Sequence, residues 1–505
     1  MSSQIKMVLD FVWNLKYSLE GRLTRNLVKK DHYAGAEMAK DLKVYFIGIG
    51  GVGMGALAGL FKEMGADICG SEASSIYPPM SDLLEEISPR IYIGYNPGWI
   101  RKEDPDLVIV GNVVRKENPE ILEVLSERRP YLSLPEALYA YFIAGRKSLV
   151  VAGTHGKTTT SALLGYVLER LGADPVFWLG GLLRDRGRNF RFGEGEYIVL
   201  EGDEYDTAFF DKRPKFVHYA PYGAILTSVE FDHADIYPSF DALRQAFFDF
   251  VHLIPEEGVL LYSDDPGVEE IARTCKARRI SYGKKGELSL LRREVSLKPL
   301  GQRVWYRRGK KEGEFFIPLL GEHNALNALA VLGLLWELGF APEEVKDHLA
   351  SFPGTRRRQE VLLEEPFLIM DDFAHHPTAV KVTLQALREA WPKRRLLACF
   401  EPRTNTSRRK VFQKDYVSAL SLADMIFLKP PPQLEKVPPE ERLDLKQLAR
   451  DLKARGIEAQ VFPGARDLLA ALKKHLHPED IVIFMSNGPF DHLPARLVED
   501  VASKT

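Results

Sequence analysis

SLVVAGTHGKTTTSALLGYVLERLG, residues 148–172, is an apolar β-branched run, a glycine-punctuated turn and a helical stretch in direct succession. A strand that turns through glycines into a helix puts the helix's unpaired amides and the positive end of its dipole at the turn, where phosphate binds. Lys157 follows Gly156 at the helix start, placing an ammonium for the β- and γ-phosphates of a nucleotide, and the Thr158 hydroxyl comes next for Mg²⁺. The loop is shorter than G-x-x-x-x-G-K-[ST], with Val151 where that pattern has its first glycine. Gly153, Thr154, His155, Gly156, Lys157, Thr158 and Thr159 are therefore candidate nucleotide-binding residues.

A second glycine turn lies upstream, in KVYFIGIGGVGMGALAGLFKEMGADICGSE (43–72), which reads as one βαβ unit with its second strand at 67–70. Gly48, Gly50 and Gly53 form G-x-G-x-x-G at the strand-to-helix turn, and Glu72 follows the second strand, where a ribose-binding acid sits. A nicotinamide cofactor would suit this turn. So would any nucleotide diphosphate, including a UDP-sugar. Gly48, Gly50, Gly51, Val52, Gly53 and Met54, with Ser71 or Glu72, and Asn112 after the strand DLVIVGN, are the candidates for that ligand. A dehydrogenase does not need the phosphate loop at 153–160, and Lys157, Thr158, Glu201 and His233 together argue against a non-catalytic binding protein.

Downstream, LEGDEYD (200–206) and VEFDH (229–233) end apolar runs in carboxylates and a histidine, the setting of Mg²⁺ ligands beside a phosphate loop. GEHNALN (321–327) puts Asn324 and Asn327 on one face of a helix start, where their amides could read an adenine edge. FPGTRRRQE (352–360) offers the run Arg356–Arg358 as a phosphate clamp between two domains. From 367 onward strands and helices alternate regularly, as in a doubly wound sheet, and ligands of such sheets sit at strand ends. Arg403, Thr404 and Asn405 follow one strand there, and Ser486, Asn487 and Gly488 another.

The chain has 505 residues, about three domains at roughly 150 each. Its 68 basic and 70 acidic residues leave a net charge of -2, too little field to hold a nucleic-acid backbone. Cys69, Cys275 and Cys399 are too few and too scattered for a disulfide framework, which fits a reducing cytoplasm. No window has 18 uninterrupted apolar residues, so no transmembrane span is expected, and residues 5–30 read as a basic amphipathic helix. The expected division is a 1–40 extension, a 41–146 Rossmann-like domain, a 147–353 α/β phosphate-loop domain carrying a small antiparallel sheet near 285–320, and a 354–505 doubly wound domain.

GIGGVGMG, AGTHGKTTT, GEHNALN and DDFAHHP (371–377), in this order, resemble the signatures of the Mur ligases, over residues 41–500. The resemblance implies a UDP-binding domain, an ATPase and a C-terminal domain that receives the amine. It implies ATP and Mg²⁺, with Lys157 on the ATP phosphates, Thr158, Glu201 and His233 at the metal ions, and Lys157, Glu201 and His233 as catalytic residues. Asp372 would meet the ribose, and His375 with Arg356 or Arg357 the phosphates. EYDTAFFDKRPKFVHY (204–219), EPRTNT (401–406) and MSNGPF (485–490) are similar to the branch that joins UDP-N-acetylmuramate to the murein tripeptide L-alanyl-γ-D-glutamyl-meso-diaminopimelate through an acyl phosphate; a sister branch adds free L-alanine. Some Mur ligases place a carbamylated lysine at the second metal, but residues 232–255 contain no lysine, so His233 is expected to ligate directly.

Overall fold

A computed structural model describes residues 40–231, 237, 239–404, 406–432 and 434–503. The 5–30 stretch, His233 and Asn405 lie outside the described residues.

Lys43–Ile47 (β1), Asp67–Glu72 (β2), Arg90–Ile93 (β3), Leu107–Val110 (β4) and Tyr131–Ser133 (β5) form a parallel sheet in the order β3-β2-β1-β4-β5. Both sides of β1 are covered, so its VYFI is buried throughout. The helix Val52–Glu63 (α1) starts at the expected glycine turn, and β2 runs two residues past its expected end, to Glu72.

The second sheet has ten strands, built from Lys147–Ala152 (β6), Val176–Trp178 (β7), Phe190–Arg191 (β8), Tyr197–Gly202 (β9), Pro221–Leu226 (β12), Val259–Ser263 (β13), Arg278–Gly283 (β14), Leu288–Leu297 (β15), Leu300–Arg308 (β16) and Lys311–Ile317 (β17). A separate hairpin, Asp206–Ala208 (β10) with Asp211–Pro214 (β11), stands beside it. The sheet order is β17-β16-β15-β14-β13-β12-β6-β9-β7-β8. The antiparallel strands expected near 285–320 are present, but they do not make a small sheet of their own. β15 first pairs with β14 in parallel, Tyr282 opposite Leu288, and the β15-β16-β17 meander then extends the main sheet. Helix α2, Lys157–Arg170, follows β6, and helix α3, Glu322–Glu337, lies against α2.

The last sheet is Glu360–Leu363 (β18), Leu368–Asp372 (β19), Leu396–Phe400 (β20), Met425–Leu428 (β21), Glu458–Val461 (β22) and Ile481–Met485 (β23), in the order β18-β19-β23-β20-β21-β22. Asp372 and Phe400 both align with Met485, so three carboxyl ends share one edge, the switch point at which such sheets bind ligands. Helix α4, Pro377–Ala390, leaves that edge from β19. Among the described residues no helix is long and apolar enough to cross a membrane.

The first two sheets share one apolar core, which runs from Phe46 and Phe61 through Trp178 and Phe190 to Phe247, whereas the last sheet is filled by clusters almost wholly its own. The seam passes under α1, where Trp178 Nε1 donates to the Gly53 carbonyl at 2.9 Å and the Phe190 ring lies directly against Gly59. A methyl on Gly59 would overlap that ring. Gly59→Ala is expected to cost about 1–3 kcal/mol through overpacking, measured by chemical denaturation, whereas Gly94→Ala, with open space around it, strains only the backbone.

Candidate active site

The turn between β6 and α2 is shaped by the end of β12. Thr154 N donates to the Ser228 carbonyl at 2.8 Å and His155 N to the Ser228 hydroxyl at 3.0 Å. The Thr227 hydroxyl lies 2.6 Å from the His155 carbonyl and 3.2 Å from that of Ala152. Gly153 turns at φ +129°, where a side chain would strike Thr227 and Ser228, and Gly156 turns at φ +81° against Asn327. The amides at the head of α2 remain for a ligand.

Lys157 turns back onto the start of its own loop and onto Glu204 beside it. Its ammonium donates to the Gly153 carbonyl at 2.7 Å and to both oxygens of Glu204, at 3.0 and 2.7 Å, with Glu204 buried. Burial alone would push Lys157 toward neutrality, but Glu204, Asp203 and Glu201 outweigh it and hold its pKa above the ordinary lysine value. Beside it, the Thr158 hydroxyl donates to Glu201 at 2.9 Å, and Gly180 N donates to the other Glu201 oxygen at 3.0 Å. Burial raises the Glu201 pKa despite Lys157 and Arg358, so these cations compensate this carboxylate only in part. A hydroxyl and an under-compensated carboxylate side by side suit a hard cation that prefers oxygen, and the residues present therefore fit Mg²⁺.

A cleft of about 240 Å³ opens between this loop, α3 and the last sheet, lined by His155, Asn324, Asn327, Arg358, Asp372 and Thr378 among others. Asn324 Nδ2 donates to the Leu320 carbonyl at 2.9 Å and Asn327 Nδ2 to Asn324 Oδ1 at 3.3 Å, so the amide pair is fixed in the wall. Asp372 is also in the wall, its two oxygens taking the amides of Gln359 and Ala374 at 2.8 and 2.7 Å.

Two expectations change. Arg358, rather than Arg356 or Arg357, faces the phosphate loop, donating to Thr158 Oγ1 at 3.2 Å. Arg357 and Gln359 have φ of +59° and +48°, so successive side chains splay apart. Arg356 is exposed, and Arg357 turns to the last sheet, donating to Asp371 at 3.1 Å and to the carbonyls of Ser486 and Gly488. Likewise His375 stays within its own domain, its Nδ1 2.9 Å from the Phe373 carbonyl, while His376 meets His155, ring centroids 4.7 Å apart. Glu230 joins this contact, bonded to His155 at 3.1 Å and to the Thr378 hydroxyl at 2.7 Å. The bond to His155 lowers its pKa to about 2, so it is an anion at neutral pH. Glu204, Glu230, His376 and Thr378 were not singled out from sequence, and Arg358 was named there only as one of the run 356–358.

At the upstream turn, Gly48 has φ +84°, and the Ser71 carbonyl takes the amides of Gly48 and Ile49. Glu72 takes the Gly50 amide at 2.9 Å and so closes the turn itself. Gly51 and Val52 are exposed and Asn112 is half-buried. Three of the expected ligand residues have other tasks. Gly53 admits the Trp178 ring, Met54 is buried beside Gly111, and the buried Ser71 hydroxyl donates to Glu120 at 2.5 Å. In the last sheet Arg403 lies over Gly488, where a side chain would collide with it, and reaches to 3.7 Å from Glu401. The Thr404 hydroxyl is used in a turn with Ser407 at 2.8 Å, buried Ser486 donates to Glu401 at 3.0 Å, and Asn487 is half-buried.

The description "Mur ligase family, catalytic domain" matches residues 43–145, "Mur ligase middle domain" residues 151–335, and "Mur ligase, glutamate ligase domain" residues 357–488. The chain is 35% identical over 468 residues to the Escherichia coli (strain K12) UDP-N-acetylmuramate–L-alanyl-gamma-D-glutamyl-meso-2,6-diaminoheptandioate ligase, covering 92% of this chain and 99% of that one. The crystal structure of a UDP-N-acetylmuramate-alanine ligase from Thermotoga maritima superposes with a TM-score of 0.76 at 26% identity, covering 92% of this chain and all of that one. A murein peptide ligase from Psychrobacter arcticus gives 0.67 at 30% identity, covering 91% and 98%.

Arg358→Ala is expected to lower phosphate release from ATP by about 10²–10³-fold, as for loss of one charged donor at a transition state. Arg356→Ala, at an exposed side chain, should stay within about twofold. Steady-state phosphate assays on the two variants check this.

Proposed function

The chain belongs to the Mur ligase family, ATP-dependent ligases that form an amide bond and release ADP, and on that premise we propose that it joins UDP-N-acetylmuramate to L-alanyl-γ-D-glutamyl-meso-diaminopimelate in peptidoglycan recycling. The observation that carries the choice of amine is the end-to-end likeness to the Escherichia coli relative, which is named for that peptide. Arg403, placed at the carboxyl edge of the last sheet over Gly488, supports it, since a guanidinium there can take a peptide carboxylate in bidentate fashion.

In this reading residues 41–146 hold the UDP end at the turn over 48–54, residues 147–353 hold ATP, and residues 354–505 bring the tripeptide. The muramate carboxylate attacks the γ-phosphorus in line and ADP leaves, giving an acyl phosphate; the peptide α-amine then attacks the acyl carbon and phosphate leaves. Activation is needed because oxide is a poor leaving group. Lys157 exchanges Glu204 for the phosphate oxygens, and Glu204 keeps it charged and close until then. Arg358 adds a second positive charge from the opposite wall. Asn324 and Asn327 offer amide edges to the adenine, and Asp372 a carboxylate to the ribose. The oxygens of Thr158 and Glu201, which lie 2.9 Å apart, would hold Mg²⁺, which when bound would disperse charge on the phosphates.

Lys157→Ala is expected to lose at least about 10²-fold in turnover while remaining folded, and near-normal phosphate release from a folded variant would refute the role. For the substrate, kcat/KM is compared for the tripeptide and for free L-alanine. Both present an α-amine to the same acyl carbon, so the preference must come from binding along the rest of the peptide. A preference of at least about tenfold for the tripeptide, 1.4 kcal/mol, is expected; a higher value for L-alanine assigns the chain to the alanine-adding branch.

A further inference from the structure

Three side chains that the reaction above leaves unused converge where α4 begins against the phosphate loop. His155 comes from the turn after β6, Glu230 from the segment after β12, and His376 from the residue that caps α4. One ligand atom from each lies within 4.8 Å of the other two. His155 Nε2 and Glu230 Oε2 are 3.1 Å apart, and the imidazoles of His155 and His376 lie 4.7 Å apart between centroids at 40°.

Each of the three is anchored by its own contacts. The His155 amide is tied to Ser228 at 3.0 Å, the Glu230 amide to the Thr154 hydroxyl at 2.9 Å, the Glu230 carboxylate to the Thr378 hydroxyl at 2.7 Å, and His376 Nδ1 to the Thr378 amide at 3.3 Å. A His–Glu hydrogen bond would explain two of these side chains but does not call for a second imidazole from another domain.

We propose that His155, Glu230 and His376 bind a borderline-soft divalent cation of the Zn²⁺ class, at a place separate from the Thr158–Glu201 oxygens, and that the occupied site fastens the C-terminal domain to the phosphate loop. The ligand chemistry selects the ion. Imidazole nitrogens suit Zn²⁺, Co²⁺ and Ni²⁺, while Mg²⁺ prefers oxygen. In a tetrahedral zinc site neighbouring ligand atoms are roughly 3.3 Å apart, a separation that His155 and Glu230 already have and that His376 reaches by a small shift. The imidazole of His155 then coordinates through Nε2, and its ring proton moves to Nδ1. His376 does the same if it binds through Nε2, which breaks the 3.3 Å cap contact. Three protein ligands leave a position for water or for a phosphate oxygen of the nucleotide. The ligands come from two domains, so the ion is held only when those domains are together.

The test is Co²⁺ and Zn²⁺ titration of the full chain in excess Mg²⁺, followed by calorimetry and by the visible spectrum of Co²⁺. One equivalent with a low-coordinate Co²⁺ spectrum is expected. Glu230→Gln and His376→Asn should each weaken it by at least tenfold, and Glu201→Gln should leave it in place. Asn keeps a helix-cap acceptor while removing the imidazole, and a thermal melt confirms that each variant is folded. The proposal is overturned if wild type binds no ion, if both site variants bind as wild type does, or if Glu201→Gln abolishes binding. None of these outcomes bears on which amine is the substrate.

Discussion

The end of β12 pressing on the phosphate loop is the constraint on which the chemistry depends. Ser228 and Thr227 take up the loop's early amides and carbonyls, so Gly153 and Gly156 are held in conformations that a side chain would not tolerate. That leaves the head of α2 as the one stretch of this loop with amides for an incoming anion. Lys157, Thr158, Glu201 and Glu204 then form a charged patch at a fixed spot on the sheet edge. Its cation is stabilised by carboxylates that a nucleotide must partly displace.

The cleft needs a third element. Two left-handed residues, Arg357 and Gln359, splay the arginine run so that one guanidinium holds β23's loop and the next reaches Thr158. The last domain therefore contributes charge to the site through its connecting segment, and Thr378 and His376 contribute through the start of α4. Without the last domain in place, the phosphate loop lacks both.

Most of this architecture was legible in the sequence because local chemistry specified it. Apolar β-branched runs ended by glycine turns marked β1 and β6, and the helix starts followed from them. The antiparallel strands were visible by alternation, but their attachment to β14 depends on a parallel pairing that no local pattern encodes. Asn324 and Asn327 were legible because a helix start fixes their common face. Which arginine of the run and which histidine of the pair face the loop was not: they look equivalent until backbone dihedrals and domain packing separate them. Gly53 and Ser71, which match a ligand-binding pattern, serve packing and bond a buried carboxylate, tasks that no local pattern shows.

The carbonyl of Gly53 belongs to the helix that heads the upstream turn, and it is bonded to Trp178 of the neighbouring sheet inside a shared apolar core. The two glycine turns are therefore joined through one continuous apolar core. In the proposed reaction, an acid at the first turn and a nucleotide at the second would meet with part of the entropy of bringing them together already spent in folding. The last sheet has cores almost wholly its own and reaches the site mainly through hydrogen bonds and ring contacts. In the proposed reaction that division would keep the groups that activate the acid on the joined pair of sheets and leave the amine to a domain with its own core.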